Sequence, residues 1–536
     1  MLKDRATYTL LFILLLGFAL SYLLYSGPYL YFDDTSYILS AHQILSGSYH
    51  VGHSPYALRY LLIASLVASF SLLGQNVVAS FLPGLIEYTA MIVFIFLTAR
   101  LLYGERTGII ATFLSATAPF VVGYTTRVLP DMLLGLLTTL SIYLLVKASK
   151  TKNNSLYFIS GAFAALTIYV KLEGIAFVLF FLIGALALGV FEKRNKRKKY
   201  LLGEKNRIWV DSHTITYILA GILLIFLINL LITYLITGSP IYLFLINSFR
   251  FQTIIPVSSL KQNLLTFLLM TLGYLTSSSS GSGSIAIPTS LYKDPQIFPL
   301  GLIIIWAFIG TLAGIKRRER NITYFSLLLW GTLTYLFFGT GSLATYFFIN
   351  VVSRYFILIS LPMAIVGAYG ISIFYEPLEH ANNRTKLYLF ILILLLITFI
   401  FNIPIYLGLY DFNRVVSGNT AELYNVLSYA NSQNHSNNVI FTNQNATAEF
   451  LGFLSNFKYT TVSNNDNVCQ RNYSGSFLLI ATQNGTLEQK LKNSSFWSGS
   501  QCKLIPLHAF YNLQARNNTF SYYGIDSELY LITNAT

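Results

Sequence analysis

The sequence predicts a polytopic α-helical membrane protein with a small α/β domain at its C-terminal end. Three observations predict it. Apolar runs of roughly 15 to 23 residues recur along the chain, the length of a helix that crosses a bilayer. Of the 536 residues, 54% are hydrophobic and only 10% charged, and the mean hydropathy is +0.58; a soluble domain has about a quarter of its residues charged. Past Tyr410 the composition turns polar and Asn-rich, and the long apolar runs stop.

Taken in order, spans are expected near 8–25, 77–99, 107–123, 132–147, 156–170, 174–190, 215–236, 298–315, 322–340, 354–375 and 387–409. The first run has no small-x-small cleavage site before Pro28, and further candidate spans follow it, so it reads as a retained helix rather than a signal peptide. Tyr60–Leu73 and Leu264–Leu275 are shorter and read as interfacial or re-entrant helices, with two extra crossings as the alternative. The division expected is 1–410 for the membrane domain and 411–536 for the outer domain.

The net charge of +14 reports sidedness. Its clusters lie in short loops: Lys3/Arg5, Arg100/Arg106, Lys147/Lys150/Lys152, Glu192–Lys199, Lys316–Arg320 and Arg384/Lys386. With the N-terminus in the cytoplasm, every cluster falls on the cytoplasmic side, as basic loops do. Nucleic acid is not an expected partner, because no folded soluble basic face is present. An odd number of spans leaves the C-terminus outside. The outer segment 238–299 contains "SSSSGSGS" and reads as a flexible lid or acceptor loop.

In the tail, "NVIFTN", "KYTTV", "SFLLIAT" and "ELYLIT" read as strands, and "AELYNVLSYANSQ" and "NATAEFLGFL" as helices. Glycosylation sequons stand at Asn434, Asn445, Asn472, Asn484, Asn493, Asn517 and Asn534, which suits an exposed extracytoplasmic surface. Cys469 and Cys502 are the only cysteines and read as a disulfide on the oxidising side, worth roughly 3 kcal/mol. Two free thiols are the alternative. No zinc-type spacing is present.

This topology brings scattered charges to one depth. Asp33 and Asp34 in "YLYFDDTSYILSAHQILSG" lie outside, just past the first span. So do Arg127 and Asp131 in "GYTTRVLPDMLL", Lys171 and Glu173 in "YVKLEGIAF", and Arg354 in "NVVSRYFILISLP". "FDDTSYILSAHQILSG" resembles the first outer loop of the GT-C glycosyltransferases, among them the protein O-mannosyltransferases and the lipid A aminoarabinose transferases. That loop reads Asp-Glu-x-x-Tyr-x-x-x-Ala, with a Gly further on. Asp33, Tyr37, Ala41 and Gly47 match, and Asp34 stands in place of the Glu. "SPYALRYLLIASLVASFSLLGQNVVASFLPG", "ARLLYGERTGIIATFLSATAPF", "TTRVLPDMLLGLL" and "SRYFILISLPMAIVGAYG" continue the resemblance in order. It covers residues 9–190 well and the remainder loosely.

The resemblance implies a GT-C fold and transfer of a sugar from a polyprenyl (dolichyl) phosphate to an acceptor hydroxyl on the extracytoplasmic side. The partners implied are that lipid and an acceptor protein or glycolipid. The chemistry asks for the same residue types. A hydroxyl is a poor nucleophile and needs a carboxylate within hydrogen-bond reach, for which Asp33 is the candidate. The leaving phosphate gains negative charge, which Arg127, Lys171 or Arg354 could stabilise. Asp131 matches the family's second acidic position and would orient the acceptor or the base, with Asp34 and Tyr37 as substrate contacts.

Other readings compete. Asp34 and Asp131 are each good helix N-caps. Lys171 could simply pair with Glu173. Arg354 could be a snorkelling helix-end arginine. A divalent cation at Asp33 and Asp34 would relieve their repulsion, although the cofactor is not fixed by the sequence. His42, His50 and His53 read as surface or acceptor contacts rather than metal ligands. A transporter would place ionisable groups mid-span, and only Glu87 does so. A glycosylated surface anchor would need none of the outer charges. An oligosaccharyltransferase should carry a "WWD" motif, which is absent. The composition suits an archaeal plasma membrane, or the endoplasmic reticulum of a eukaryote.

Overall fold

The computed structural model describes residues 2–25, 33–49, 59–195, 208, 210–240, 300–338, 353–380 and 384–432, with strands within 439–534. Its helices are α1 (Leu2–Leu23), α2 (Asp33–Leu45), α3 (Tyr60–Leu73), α4 (Val77–Tyr103), α5 (Glu105–Ala116), α6 (Pro119–Val122), α7 (Pro130–Thr151), α8 (Asn154–Val170), α9 (Gly174–Asn195) and α10 (Ser212–Thr237). They continue with α11 (Ile303–Lys316), α12 (Arg320–Phe338), a 3-10 segment (Ser353–Ile359), α13 (Ser360–His380) and α14 (Arg384–Ser432).

Among the described residues, 6 helices are long and apolar enough to cross a membrane. They contain Ala6–Leu23, Val77–Tyr103, Pro130–Thr151, Ser212–Thr237, Arg354–Phe374 and Thr385–Leu407. Shorter apolar helices stand beside them at Tyr60–Leu73, Asn154–Val170, Gly174–Gly189 and Ile303–Lys316. The chain is an integral multi-pass membrane protein. Burial sorts the spans: 83% of the Arg354–Phe374 window is inside the protein, against 11% for Ser212–Thr237. The first is the hub of the bundle; the second faces lipid.

Helices pack here through small residues, as expected where lipid removes the hydrophobic drive between them. A Cβ on Gly161 would lie 2.0 Å from the Ile218 carbonyl, and one on Gly221 would lie 2.0 Å from that of Phe158. Both α8 and α10 therefore use glycine at their crossing.

Three elements differ from the sequence reading. The helix expected over 107–123 is broken, because Ala118 is extended (φ −67, ψ 124) ahead of Pro119, whose ring disfavours the helical conformation in the residue before it. The helix expected to end near 409 runs on to Ser432, so the change in composition at Tyr410 is not a break in the backbone. A strand at Cys502–Phe510 was not expected. The strands are β1 (Val439–Thr442), β2 (Lys458–Thr461), β3 (Phe477–Gln483), β4 (Cys502–Phe510) and β5 (Ile525–Asn534). Their order is β2-β1-β3-β5-β4; β1 runs parallel to β2 and β3, while β5 is antiparallel to β3 and β4. β4 contains Pro506 and a register shift between Pro506 and His508, both tolerated because it is an edge strand.

Cys469 lies outside the described residues, and with it the expected disulfide to Cys502. The sequon asparagines lie there too, except Asn534, which ends β5. Also outside are His50, His53, the expected helix 264–275, the tail helix "NATAEFLGFL" and the segment 241–299.

α11 ends in a Schellman motif, in which Arg318 N–H donates to Ile315 O (3.1 Å) and Glu319 N–H to Gly314 O (2.8 Å). Its left-handed position is held by Arg318 at φ 55, where glycine is usual. A side chain there costs about 1 kcal/mol.

Candidate active site

Four pieces of chain from distant parts of the sequence meet at one end of the bundle. The first is the N-terminus of α2. Asp33 and Asp34 occupy its first turn, where carboxylates complement the helix dipole. The second is the turn from α6 to α7, closed by Arg127 N–H to Tyr124 O (3.1 Å). Pro130 then starts α7 at a position that lacks a donor requirement and wants its fixed φ. The third is the turn Lys171–Gly174, where Gly174 N–H donates to Lys171 O (2.9 Å) and α9 begins. The fourth is the 3-10 segment carrying Arg354.

The sequence neighbours Asp33 and Asp34 part company. Asp34 is fully buried and accepts from Arg127 Nε (3.0 Å), Arg127 Nη2 (2.5 Å) and the Val128 backbone N–H (2.9 Å). It is no N-cap; its carboxylate clamps α2 to the α6–α7 turn, 93 residues away. Asp33 stands at the opening. Its Oδ2 accepts from Arg354 Nη2 at 2.9 Å, and both side chains are 22% exposed.

Behind this pair lies Asp131. It is the second residue of α7 and does not cap it; the N-cap position is Leu129, which makes no side-chain cap bond. Asp131 Oδ1 instead accepts from Lys171 Nζ at 2.7 Å, both side chains being buried. Lys171 therefore pairs most closely with Asp131, and Glu173 is a second, longer ion-pair partner at 3.9 Å. Its ammonium also lies 3.7 Å from the centre of the Tyr355 ring. Burial pulls the Lys171 pKa below the usual lysine value, while Asp131 and Glu173 pull it back up. Arg354 connects the two pairs, since its Nε lies 3.8 Å from Asp131 Oδ2. Both of these atoms are buried without a hydrogen-bond partner among the described residues.

Packing holds this arrangement to small tolerances. A Cβ on Gly135, one turn beyond Asp131, would lie 2.6 Å from Ile357 Cγ2 and 3.1 Å from Ile357 O, so α7 and the 3-10 segment touch directly there. A Cβ on Gly84 in α4 would lie 2.7 Å from Thr125 O, beneath the turn that carries Arg127. Phe356 packs edge-on against Phe120 of α6 at 6.5 Å.

The sequence reading missed Arg59. Its guanidinium donates to the Tyr37 hydroxyl and lies 5.4 Å from the Tyr37 ring centre. Burial opposes its charge, yet Tyr37, Glu173, Asp33 and Asp131 outweigh burial and raise its pKa. The signal was legible: Arg59 is a lone cation at the head of the short apolar run 60–73. His42 pairs with Gln75 Oε1 at 2.7 Å, away from the cluster. Glu87 is buried within α4.

The donor set argues against a cation shared by Asp33 and Asp34. Both oxygens of Asp34 are committed to Arg127 and Val128, so two arginines, one on each aspartate, relieve the repulsion. Among the described residues no cluster of three or more His, Cys, Asp or Glu side chains has metal-binding geometry.

Residues 60–232 match the family model of the dolichyl-phosphate-mannose-protein mannosyltransferases. The fold is similar to ArnT from Cupriavidus metallidurans bound to undecaprenyl phosphate, with a TM-score of 0.59 at 11% identity over 97% of each chain. The chain resembles the GT-C glycosyltransferases. Against ArnT in the apo state the TM-score is 0.58 at 11% identity, covering 98% of each chain. The oligosaccharyltransferase of Archaeoglobus fulgidus, tethered with an acceptor peptide, gives 0.48 at 11% identity over 89% of this chain and 69% of that one. No curated protein sequence matches the chain. At such identities the likeness to solved structures is one of fold. Within this GT-C-like chain, the site residues stand on the geometry given above.

Proposed function

We propose that this chain is a membrane glycosyltransferase that moves a sugar from a polyprenyl-phosphate donor to an acceptor hydroxyl on the extracytoplasmic side. The observation that carries the reading is the contact of Asp33 with Arg354 at the opening of a buried charge cluster, across 321 residues of chain. A carboxylate and an arginine side by side at a membrane-embedded site suit a reaction that releases a proton from one partner and a phosphate from the other. ArnT, whose fold this chain shares, has been crystallised with undecaprenyl phosphate.

In this reading Asp33 accepts the proton of the acceptor hydroxyl as its oxygen attacks the anomeric carbon. The bond from that carbon to the phosphate oxygen breaks on the opposite face, and the configuration inverts. Arg354 meets the charge that grows on the departing phosphate, with Arg59 adding positive field beside Tyr37. Asp131, itself held by Lys171, stands behind Arg354. Asp34 acts as a clamp rather than as a substrate ligand, because both its oxygens are taken up by Arg127 and Val128 N–H. In the same reading the tail stands on that side, where the sequons would be glycosylated and Cys469 and Cys502 would meet an oxidising compartment.

The test is transfer by membranes supplied with a panel of radiolabelled dolichyl-phosphate sugars. Wild-type membranes should label an acceptor from one donor, and Asp33→Asn membranes with equal protein content should lose at least about 100-fold in rate. Equal transfer by both removes Asp33 from the chemistry.

A further inference from the structure

At the far end of the bundle from Asp33, a cavity of about 370 Å³ lies between α9, the end of α11 and the start of α12. This is ample for part of a small ligand. α9 leaves the site at Gly174, so Leu188 lies about 21 Å further along its axis. The wall is apolar, built from Ala187, Leu188, Tyr324 and Leu327, and Arg318 and Arg320 also line it. Next to it the surface stays apolar: Ile183, Leu186, Leu312 and Ile315 are all exposed large hydrophobic residues, as lipid-facing side chains are.

Two features of the cavity lack an explanation in the fold. Tyr324 is 3% exposed, and its hydroxyl is buried with no hydrogen-bond partner among the described residues. Arg318 occupies the left-handed position that glycine would fill at lower cost. Neighbouring Arg317 is already engaged, 2.5 Å from Glu376 Oε2. Strain retained at a non-glycine residue points to a use for its side chain.

We infer that this cavity binds one anionic phospholipid of the leaflet opposite the Asp33 site. Its phosphate lies against Arg318 and Arg320, since arginine matches phosphate oxygens in charge and geometry. An acyl chain follows the Leu188 and Leu327 wall, and the Tyr324 hydroxyl donates to an ester oxygen. Basic pockets between membrane helices recognise lipid headgroups in this way. A free anion would leave the apolar wall unused, and a zwitterionic headgroup would bring its own cation against the two arginines.

The experiment incubates full-length protein in detergent with phosphatidylglycerol or phosphatidylcholine and reads retained lipid by native mass spectrometry, with melting temperature measured alongside. Wild-type protein should hold one phosphatidylglycerol about tenfold more tightly than phosphatidylcholine. It should also melt higher with the anionic lipid. Arg318→Gly combined with Arg320→Gln should abolish the preference while melting, without lipid, no lower than wild type, because glycine relieves the backbone. Ala187→Phe, which narrows the wall and keeps both arginines, should weaken retention of phosphatidylglycerol. The inference is overturned if wild type shows no preference or if the double variant keeps it. It is also overturned if millimolar inorganic phosphate reproduces the melting shift with no lipid retained.

Discussion

Asp33 and Asp34 differ by one position and by their entire surroundings, and that difference sets opposite outcomes for the same kind of substitution. Asp33→Asn removes a charge at an opening where water can replace it, so activity should fall while the melting temperature holds. Asp34→Ala strands the buried Arg127 guanidinium. Breaking one side of such a pair costs about 3–5 kcal/mol, and folded yield should collapse. Replacing both partners together, Asp34→Leu with Arg127→Met, should restore much of the yield, read as monodisperse protein after detergent extraction; no recovery would show that the pair does more than neutralise itself. Lys171 gives a pH test. Burial, the largest influence, lowers its pKa, so it sheds its proton at a lower pH than an ordinary lysine, and Asp131 then loses the charge of its nearest partner. Transfer should therefore decline along an alkaline limb below pH 10.5, and Lys171→Arg, with a guanidinium that stays charged, should move that limb upward. An unmoved limb assigns the loss to another group. The participating charges were legible because charge is scarce in this chain and each cation had to earn its place near the membrane surface. Their partners were not. Nothing in local sequence distinguishes Arg127, which faces Asp34, from Arg354, which faces Asp33, because both contacts are made across chain distances that only packing fixes.

The elements carrying these groups are short and irregular, while the helices around them are long. Arg354, Tyr355, Phe356 and Ile357 follow one another in a 3-10 segment, whose tight turn aims consecutive side chains at Asp33, Lys171, Phe120 and Gly135. With three residues per turn, the segment sends consecutive side chains to different neighbours. The sequence reading expected a plain span over 354–375, since apolar periodicity cannot separate a 3-10 start from an α-helical one. The break at Ala118 and the strand β4 were missed for a related reason: prolines mark both, and a proline inside an apolar run leaves open whether the run bends, ends or forms an edge strand. The contact of α7 with the 3-10 segment yields a prediction at this scale. Gly135→Ala places a methyl where Ile357 Cγ2 already stands, which should cost about 1–3 kcal/mol and displace Arg354 from Asp131 and Asp33. Adding Ile357→Ala clears the clash and should return part of both stability and transfer. Additive losses in the double variant, measured by melting and rate, would mean that Gly135 has no part in seating Arg354.

At the scale of the whole molecule, α14 shows which parts share a side of the membrane. Its 49 residues would extend about 73 Å, more than twice the roughly 30 Å of a hydrocarbon core, so it must project beyond the bilayer. Where it leaves can be read from its neighbours. Tyr406 donates to the Thr117 carbonyl, and Leu409 packs within reach of Gly123, at the level of α6 and the turn that bears Arg127. α14 past Leu409 thus projects on the side of Asp33, where it reaches β4 and β5. The turn Lys316–Arg320 lies at the opposite end, beyond Leu188 of α9. Basic turns face the cytoplasm by the usual charge bias, so we predict that the strands and the site stand outside. Trypsin distinguishes the two ends, since Lys316, Arg317 and Arg318 offer cleavage sites at one and Lys458 and Lys503 at the other. In sealed cells expressing the chain, added trypsin should remove the tail and leave the 316–320 turn intact, and permeabilised cells should lose both. Cutting at the turn with a protected tail would invert the molecule in its membrane, and the sugar donor would then have to be met from the cytoplasmic leaflet.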